Sequence, residues 1–218
     1  MDNMLYILFV CIFVPLMLSI PLVNKQSRDI VIFVLTGIAS ALLIAEVNSV
    51  VLDIFKNDSY YVTTTITPIT EELVKSIPVL MYVYFFEDKR DKYLAIAFAL
   101  GVGFALFENT YILVEGASKV SLLWAVFRGF STALMHGICT AAVGYGMSFV
   151  RLRRKLAIPG TFALLITAII YHGIFNIFVQ DSQLKYVGFA LPLLTYIPLV
   201  IHLMISIRKK KAAKSVDR

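Results

Sequence analysis

At 218 residues, 59% apolar and only 16% charged, the chain is too hydrophobic for soluble domains and reads as a polytopic membrane protein. Its net charge of +6 sits in loops flanking apolar segments, which sets aside nucleic-acid binding in favour of bilayer orientation and contact with anionic lipid. The two cysteines, Cys11 and Cys139, fall within apolar segments, so no disulfide framework is implied.

Seven apolar spans follow in order, at 4–23, 30–55, 60–86, 93–114, 120–150, 157–180 and 186–207, each near or above the ~20 residues that cross a bilayer core. Backbone groups in hydrocarbon must be satisfied within their own segment, and spans this long are not barrel strands, so the expected fold is an all-α bundle of about seven transmembrane helices. One transmembrane domain, 1–218, accounts for the chain, with a candidate catalytic core at 67–180 and a basic tail at 208–218. The first span lacks a basic leader and a small-residue cleavage site, and is read as a retained helix. Lys and Arg crowd into alternate loops: Lys25 and Arg28; Lys89, Arg90 and Lys92; Arg151, Arg153, Arg154 and Lys155; and the tail from Arg208. These hold 15 of the 20 basic residues against three (Lys56, Lys119, Lys185) in the intervening loops. The bias places the N-terminus outside and the C-terminus in the cytoplasm.

Within the third span, Thr67-Pro68 is a helix-start signal, a capping hydroxyl followed by proline at the first helical position. It would place Glu71 and Glu72 one turn in, near the positive end of the helix dipole. Those carboxylates lie ~16 Å below the outer end of the span at 1.5 Å per residue, and charges at membrane depth persist where they face a protein interior and pair, as they can with Lys75. Glu71 to Lys75 is i,i+4 and Glu72 to Lys75 is i,i+3, so the lysine can offset one carboxylate while the other stays free for chemistry. The fourth span brings Glu108 and Asn109 within ~10 Å of the outer face, the fifth carries His136 half way down, and the sixth sets His172 and Asn176 ~6–12 Å from its outer end. Polar features on four consecutive spans thus share one depth band. Thr140 and Asn176 each follow a histidine by four residues and are expected to orient its imidazole or add a polar group to the same cavity. Arg128 either contacts the same cavity or snorkels outward along its own helix and is read as chiefly structural, His202 as structural or interfacial, Asp53 as interfacial, and Glu46 as a weaker helix-bridging or ion-handling candidate.

No His-Glu-x-x-His, Gly-x-Ser-x-Gly or membrane aspartate pair is present. What remains is a carboxylate and histidine set able to activate water by general-base chemistry. On this reading Glu72 or Glu71 is the base, Lys75 tunes the pair, His172 with Asn176 handles the substrate carbonyl or oxyanion, and Glu108 with His136 shares protons. A proton- or ion-coupled transporter uses the same residue types and is the rival class, though no inverted repeat supports it. The lysine argues for a site without a cofactor; zinc on His136, His172, Glu72 and Glu108 is the alternative.

As an ordered set, Glu71-Glu72-Leu73-Val74-Lys75, Gly103-Phe104-Ala105-Leu106-Phe107-Glu108-Asn109, His136 with Thr140, and His172 with Asn176 resemble the PrsW family of bacterial membrane proteases. That family is similar to the wider group of CAAX-processing and bacteriocin-processing membrane endopeptidases. Where the wider group has Phe-x-x-x-His this chain has Phe104 with Glu108, which favours PrsW over a prenyl-protein endopeptidase. The resemblance implies a multi-pass protein of the bacterial cell membrane making the site-1 cut in a single-span anti-sigma factor, outside the cytoplasm, to activate a sigma-factor stress response. It is compatible both with a metallopeptidase and with metal-independent glutamate catalysis.

Overall fold

The computed structural model describes residues 3–86, 89–116, 120–152 and 154–216. His202, the tail from Arg208, and the loop residues Lys119, Arg151, Arg153 and Arg154 lie outside the side chains it describes. Among the described residues there is no strand. The helices are α1 (Asn3–Ser19), α2 (Lys25–Ile54), α3 (Ser59–Tyr61), α4 (Thr67–Phe85), α5 (Arg90–Glu115), α6 (Leu122–Met147), α7 (Phe149–Leu152), α8 (Arg154–Gln180) and α9 (Lys185–Val216). A short 3-10 turn at Ile20–Leu22 extends α1, and a π-helical stretch at Val62–Ile66 joins α3 to α4.

Most predicted apolar spans correspond to one long helix, whereas 60–86 comprises α3, the π-helical stretch and α4, and 120–150 ends within α7. Among the described residues five helices are both long and apolar enough to cross a membrane: Met4–Leu22, Ser27–Ile54, Arg90–Glu115, Leu122–Met147 and Lys155–Gln180. Helix α4 differs because its 19 residues include Glu71, Glu72 and Lys75. Side-chain caps mark several starts: Asn24 accepts from the Ser27 amide at 2.9 Å, Ser121 from Trp124 at 3.2 Å, and Asp58 from Tyr61 at 3.0 Å. Each satisfies an amide that the first helical turn leaves unpaired.

Helices α2, α6 and α8 pack around α4, and α5 packs against α2 and α6, with the main apolar core running from Val79 and Val83 through Leu100 and Met135 to Phe175 and Phe189. A second core, including Leu5, Ile38, Ile44, Phe104 and Phe107, holds α1 and α2 against α5. Two glycine contacts set the α2–α5 and α5–α6 spacing. A Cβ on Gly103 would strike the Val34 backbone, and one on Gly101 would strike the His136 carbonyl. The backbones therefore approach as only glycine allows, as expected where helix association in lipid relies on close packing.

The start signal at Thr67-Pro68 is resolved differently from the sequence expectation. Ile66 before α4 is already helical, no side-chain cap forms, and the Thr67 hydroxyl contacts Asn48 Oδ1 at 3.4 Å instead. Helical backbone is continuous from Ser59, so Glu71 and Glu72 do not sit one turn from a free helix end. The proline acts on the turn before it. Thr67 N–H bonds to the Val62 carbonyl in the π pattern, and the next carbonyl, that of Thr63, would need a proton that Pro68 lacks.

Candidate functional site

Across the bundle, Asn176 Nδ2 of α8 donates to the Thr63 carbonyl at 2.9 Å, and Gln180 Nε2 donates to the Thr63 hydroxyl at 3.0 Å. Asn176 therefore supports the turn that leads into α4 rather than its own His172. Thr140 likewise bonds the His136 backbone carbonyl at 2.8 Å and not the ring. The imidazole-orienting role expected from the i,i+4 spacing is thus corrected for both, while Asn176 does add a polar group to the cavity wall.

One turn deeper the titratable residues meet. Lys75, with no exposed surface, places Nζ 2.6 Å from Glu72 Oε1, 2.7 Å from His136 Nδ1 and 3.7 Å from Glu71 Oε2, above the Phe104 ring at 4.6 Å. His172 Nδ1 lies 3.0 Å from Glu72 Oε1, and His136 Nε2 lies 2.9 Å from Glu108 Oε2. The two imidazoles meet edge to face at 4.9 Å. Arg128 Nη2 closes the set by donating to the other Glu108 oxygen at 3.3 Å. The depth band inferred from sequence is thus one contiguous cluster from α4, α5, α6 and α8.

The bonds assign the tautomers. A carboxylate only accepts, so His172 carries its proton on Nδ1 toward Glu72, and His136 carries its proton on Nε2 toward Glu108. The remaining lone pairs, His172 Nε2 and His136 Nδ1, lie 3.9 Å and 3.8 Å from Glu71 Oε2. That oxygen is buried with no hydrogen-bond partner. Glu72 Oε2 is unpartnered too, so Glu71 is distinguished from its neighbour by position alone. It borders a cavity of about 620 Å³, together with Glu108, Arg128, Asn176, Phe104 and Tyr111. Glu72 does not border it and is held from behind. The cavity reaches up to Leu52, Ser59, Ile112 and Gln180, at the end of the bundle where the α2–α3, α5–α6 and α8–α9 connections lie.

These three donors fit a divalent metal. Glu71, His136 and His172 each offer one atom, all within 4.8 Å of one another, and catalytic zinc takes three protein ligands with one position open. The second oxygen-bearing residues are also in place. Glu72 and Glu108 stand behind His172 and His136 as the carboxylates that fix an imidazole's tautomer in metal sites. Three carboxylates against Lys75 and Arg128 leave one formal negative charge with neutral imidazoles. Lys75 is the competitor, since its ammonium occupies the His136 lone pair that a metal would take. The zinc alternative from sequence changes accordingly: Glu71 converges with the histidines, while Glu72 and Glu108 orient them.

Asn109 lies apart from the cavity wall, buried, with Oδ1 lacking a hydrogen-bond partner. Glu46 accepts from Tyr6 at 2.6 Å, bridging α1 and α2. Arg128, read from sequence as chiefly structural, stands on the cavity wall. Its signal was its position, two turns before His136 on the same helix.

A family model described as PrsW family intramembrane metalloprotease matches residues 27–203. No match is found among curated proteins or among solved structures. The expectation of a site without metal is not supported, because the matched family is described as a metalloprotease and the Glu71–His136–His172 set suits an ion. The chain belongs to the PrsW family, and it is a membrane protease.

Proposed function

We propose that this PrsW-family protein cuts a single-span membrane protein outside the cytoplasm, in the manner of site-1 cleavage of an anti-sigma factor in a bacterial cell membrane. The observation that carries the reading is the buried, unpartnered Glu71 oxygen at the cavity floor, 3.9 Å from the free lone pair of His172 Nε2 and 3.8 Å from His136 Nδ1, which Lys75 holds. The loop-charge bias supports an extracytoplasmic mouth for the cavity, and the volume suits an extended stretch of peptide.

Glu71 meets the attacking water, accepts its proton and passes it to the leaving amine. His172 flanks that water with its Nε2 lone pair, its ring fixed by Glu72, while His136, fixed by Glu108, gives its Nδ1 lone pair to Lys75. Lys75 balances the buried carboxylates, and the Phe104 ring beneath its ammonium keeps water from the far side. A divalent ion, when held by Glu71, His136 and His172, would supply Lewis-acid activation of the same water. The burial of Glu71, Glu72, His136 and His172 supplies the low dielectric in which such groups act strongly.

The test is incubation of detergent-purified protein with a single-span peptide, the cut located by mass spectrometry, alongside elemental analysis of the active protein. One defined cut that disappears in Glu71→Gln is expected, with near-stoichiometric metal lost in the same variant. Unchanged cleavage by Glu71→Gln would overturn the assignment.

A further inference from the structure

The guanidinium of Arg128 is held by one bond. Nη2 donates to Glu108 at 3.3 Å, Cζ lies 5.7 Å from the Trp124 ring, and Nε is buried without a hydrogen-bond partner. An arginine has five N–H donors in a planar fork, and burying one of them unpaired is costly unless something completes it. The side chain is 12% exposed and forms part of the wall of the cavity whose floor is Glu71. Glu108 does not use up the arginine's capacity, because its second oxygen is committed to His136.

The rest of the wall near the mouth carries neutral groups, among them Asn48, Ser49, Thr63 and Gln180. Arg128 is therefore the cationic side chain on the described wall, placed away from Glu71. We propose that Arg128 is a specificity-determining residue that binds a carboxylate side chain, Asp or Glu, of the substrate. This rests on the protease reading above and adds a sequence requirement to it. Arg128 and His136 contact opposite oxygens of one carboxylate, at 3.3 and 2.9 Å, so the guanidinium lies within about 8 Å of the imidazole, or two to three residues of extended peptide at roughly 3.3 Å each. The acidic residue accordingly sits two or three positions from the scissile bond, on the side toward the cavity mouth.

The experiment uses the full-length protein in detergent and a fluorescent single-span peptide that it cuts, made in three forms with Glu, Gln or Lys at each position flanking the cut. Wild type is expected to prefer Glu over Gln at a position two or three residues away by on the order of tenfold to a hundredfold in kcat/KM, mostly through KM, the range of a charge-assisted hydrogen bond. Arg128→Gln should abolish the preference, Arg128→Lys should keep part of it, and Arg128→Glu should reverse it toward a Lys-bearing peptide. Direct binding of the same peptides to the Glu71→Gln protein reads the preference without turnover. Cleavage by wild type with no Glu preference, or a preference that survives Arg128→Gln, overturns the proposal and leaves the protease reading standing. A preference that follows anionic lipid content rather than the peptide also overturns it, assigning Arg128 to lipid headgroups. Absence of any cut by wild type defeats both readings.

Discussion

Removing the ammonium of Lys75 isolates the electrostatic core of the site. Lys75→Met keeps the length of the side chain, but it leaves Glu72, whose side chain has no exposed surface, without the cation 2.6 Å away, and removes the counter-charge 3.7 Å from Glu71. Breaking one partner of a buried pair costs about 3–5 kcal/mol because the orphaned charge stays buried. For a chain of this length that corresponds to a fall of roughly 10 °C in the unfolding midpoint, at about 2–4 °C per kcal/mol. The Lys75→Met/Glu72→Gln double variant removes both charges and should recover much of the loss, giving a coupling energy of roughly 2–3 kcal/mol. Thermal unfolding of the four proteins in one detergent, after exhaustive dialysis against chelator, measures it. A Lys75→Met midpoint within 2 °C of wild type, or strictly additive losses, would refute the view that the lysine holds the carboxylates together. If a divalent ion competes with Lys75 for His136, Lys75→Met should also bind zinc more tightly, by calorimetry.

Glu71→Gln and Glu72→Gln should part company despite being adjacent. Both should lose cleavage, but Glu71→Gln should melt near wild type because Oε2 has no hydrogen bond to lose, whereas Glu72→Gln should fall by a few degrees through Lys75 and His172. Asn176→Ala leaves the Thr63 carbonyl unpaired and should cost about 1–3 kcal/mol in the same melt. Gly103→Ala should cost a similar amount by forcing α2 off α5, with Gly129→Ala, which meets nothing within 4 Å, as the neutral control. Whole-cell labelling should modify Lys185→Cys and spare Lys89→Cys if the charged loops face the cytoplasm.

Hydropathy made the helices legible because lipid imposes one rule on every span. The meeting of Glu71, Glu72, Lys75, Glu108, His136 and His172 was legible too, since charged groups at one depth have few alternatives to each other. Which glutamate faces the cavity was not. Adjacent helical residues point about 100° apart, and only the placement of α5, α6 and α8 around α4 decides between them. The Thr140 and Asn176 pairings failed for a related reason. Spacing of i,i+4 permits a contact, but a threonine hydroxyl on a helix reaches its own i−4 carbonyl more readily than a neighbouring ring. Asn176 answered a carbonyl 113 residues away that Pro68 had left without a donor.

That proline-released carbonyl has a mechanical consequence. Helix α8 is pinned to the polypeptide leading through α4 at two heights, by His172 on Glu72 and, one turn further along, by Asn176 on Thr63. A sliding motion of α8 would break both ties together, so this wall behaves as a fixed jaw. The opposite wall is built differently, from Leu5, Ala41, Ile44 and Ala45 of α1 and α2, apolar side chains on two helices that the Tyr6–Glu46 hydrogen bond ties to each other. The α1–α2 side, held to α5 through an apolar core, is therefore the wall that yields at least cost, and the histidine-bearing side is the one fixed in place.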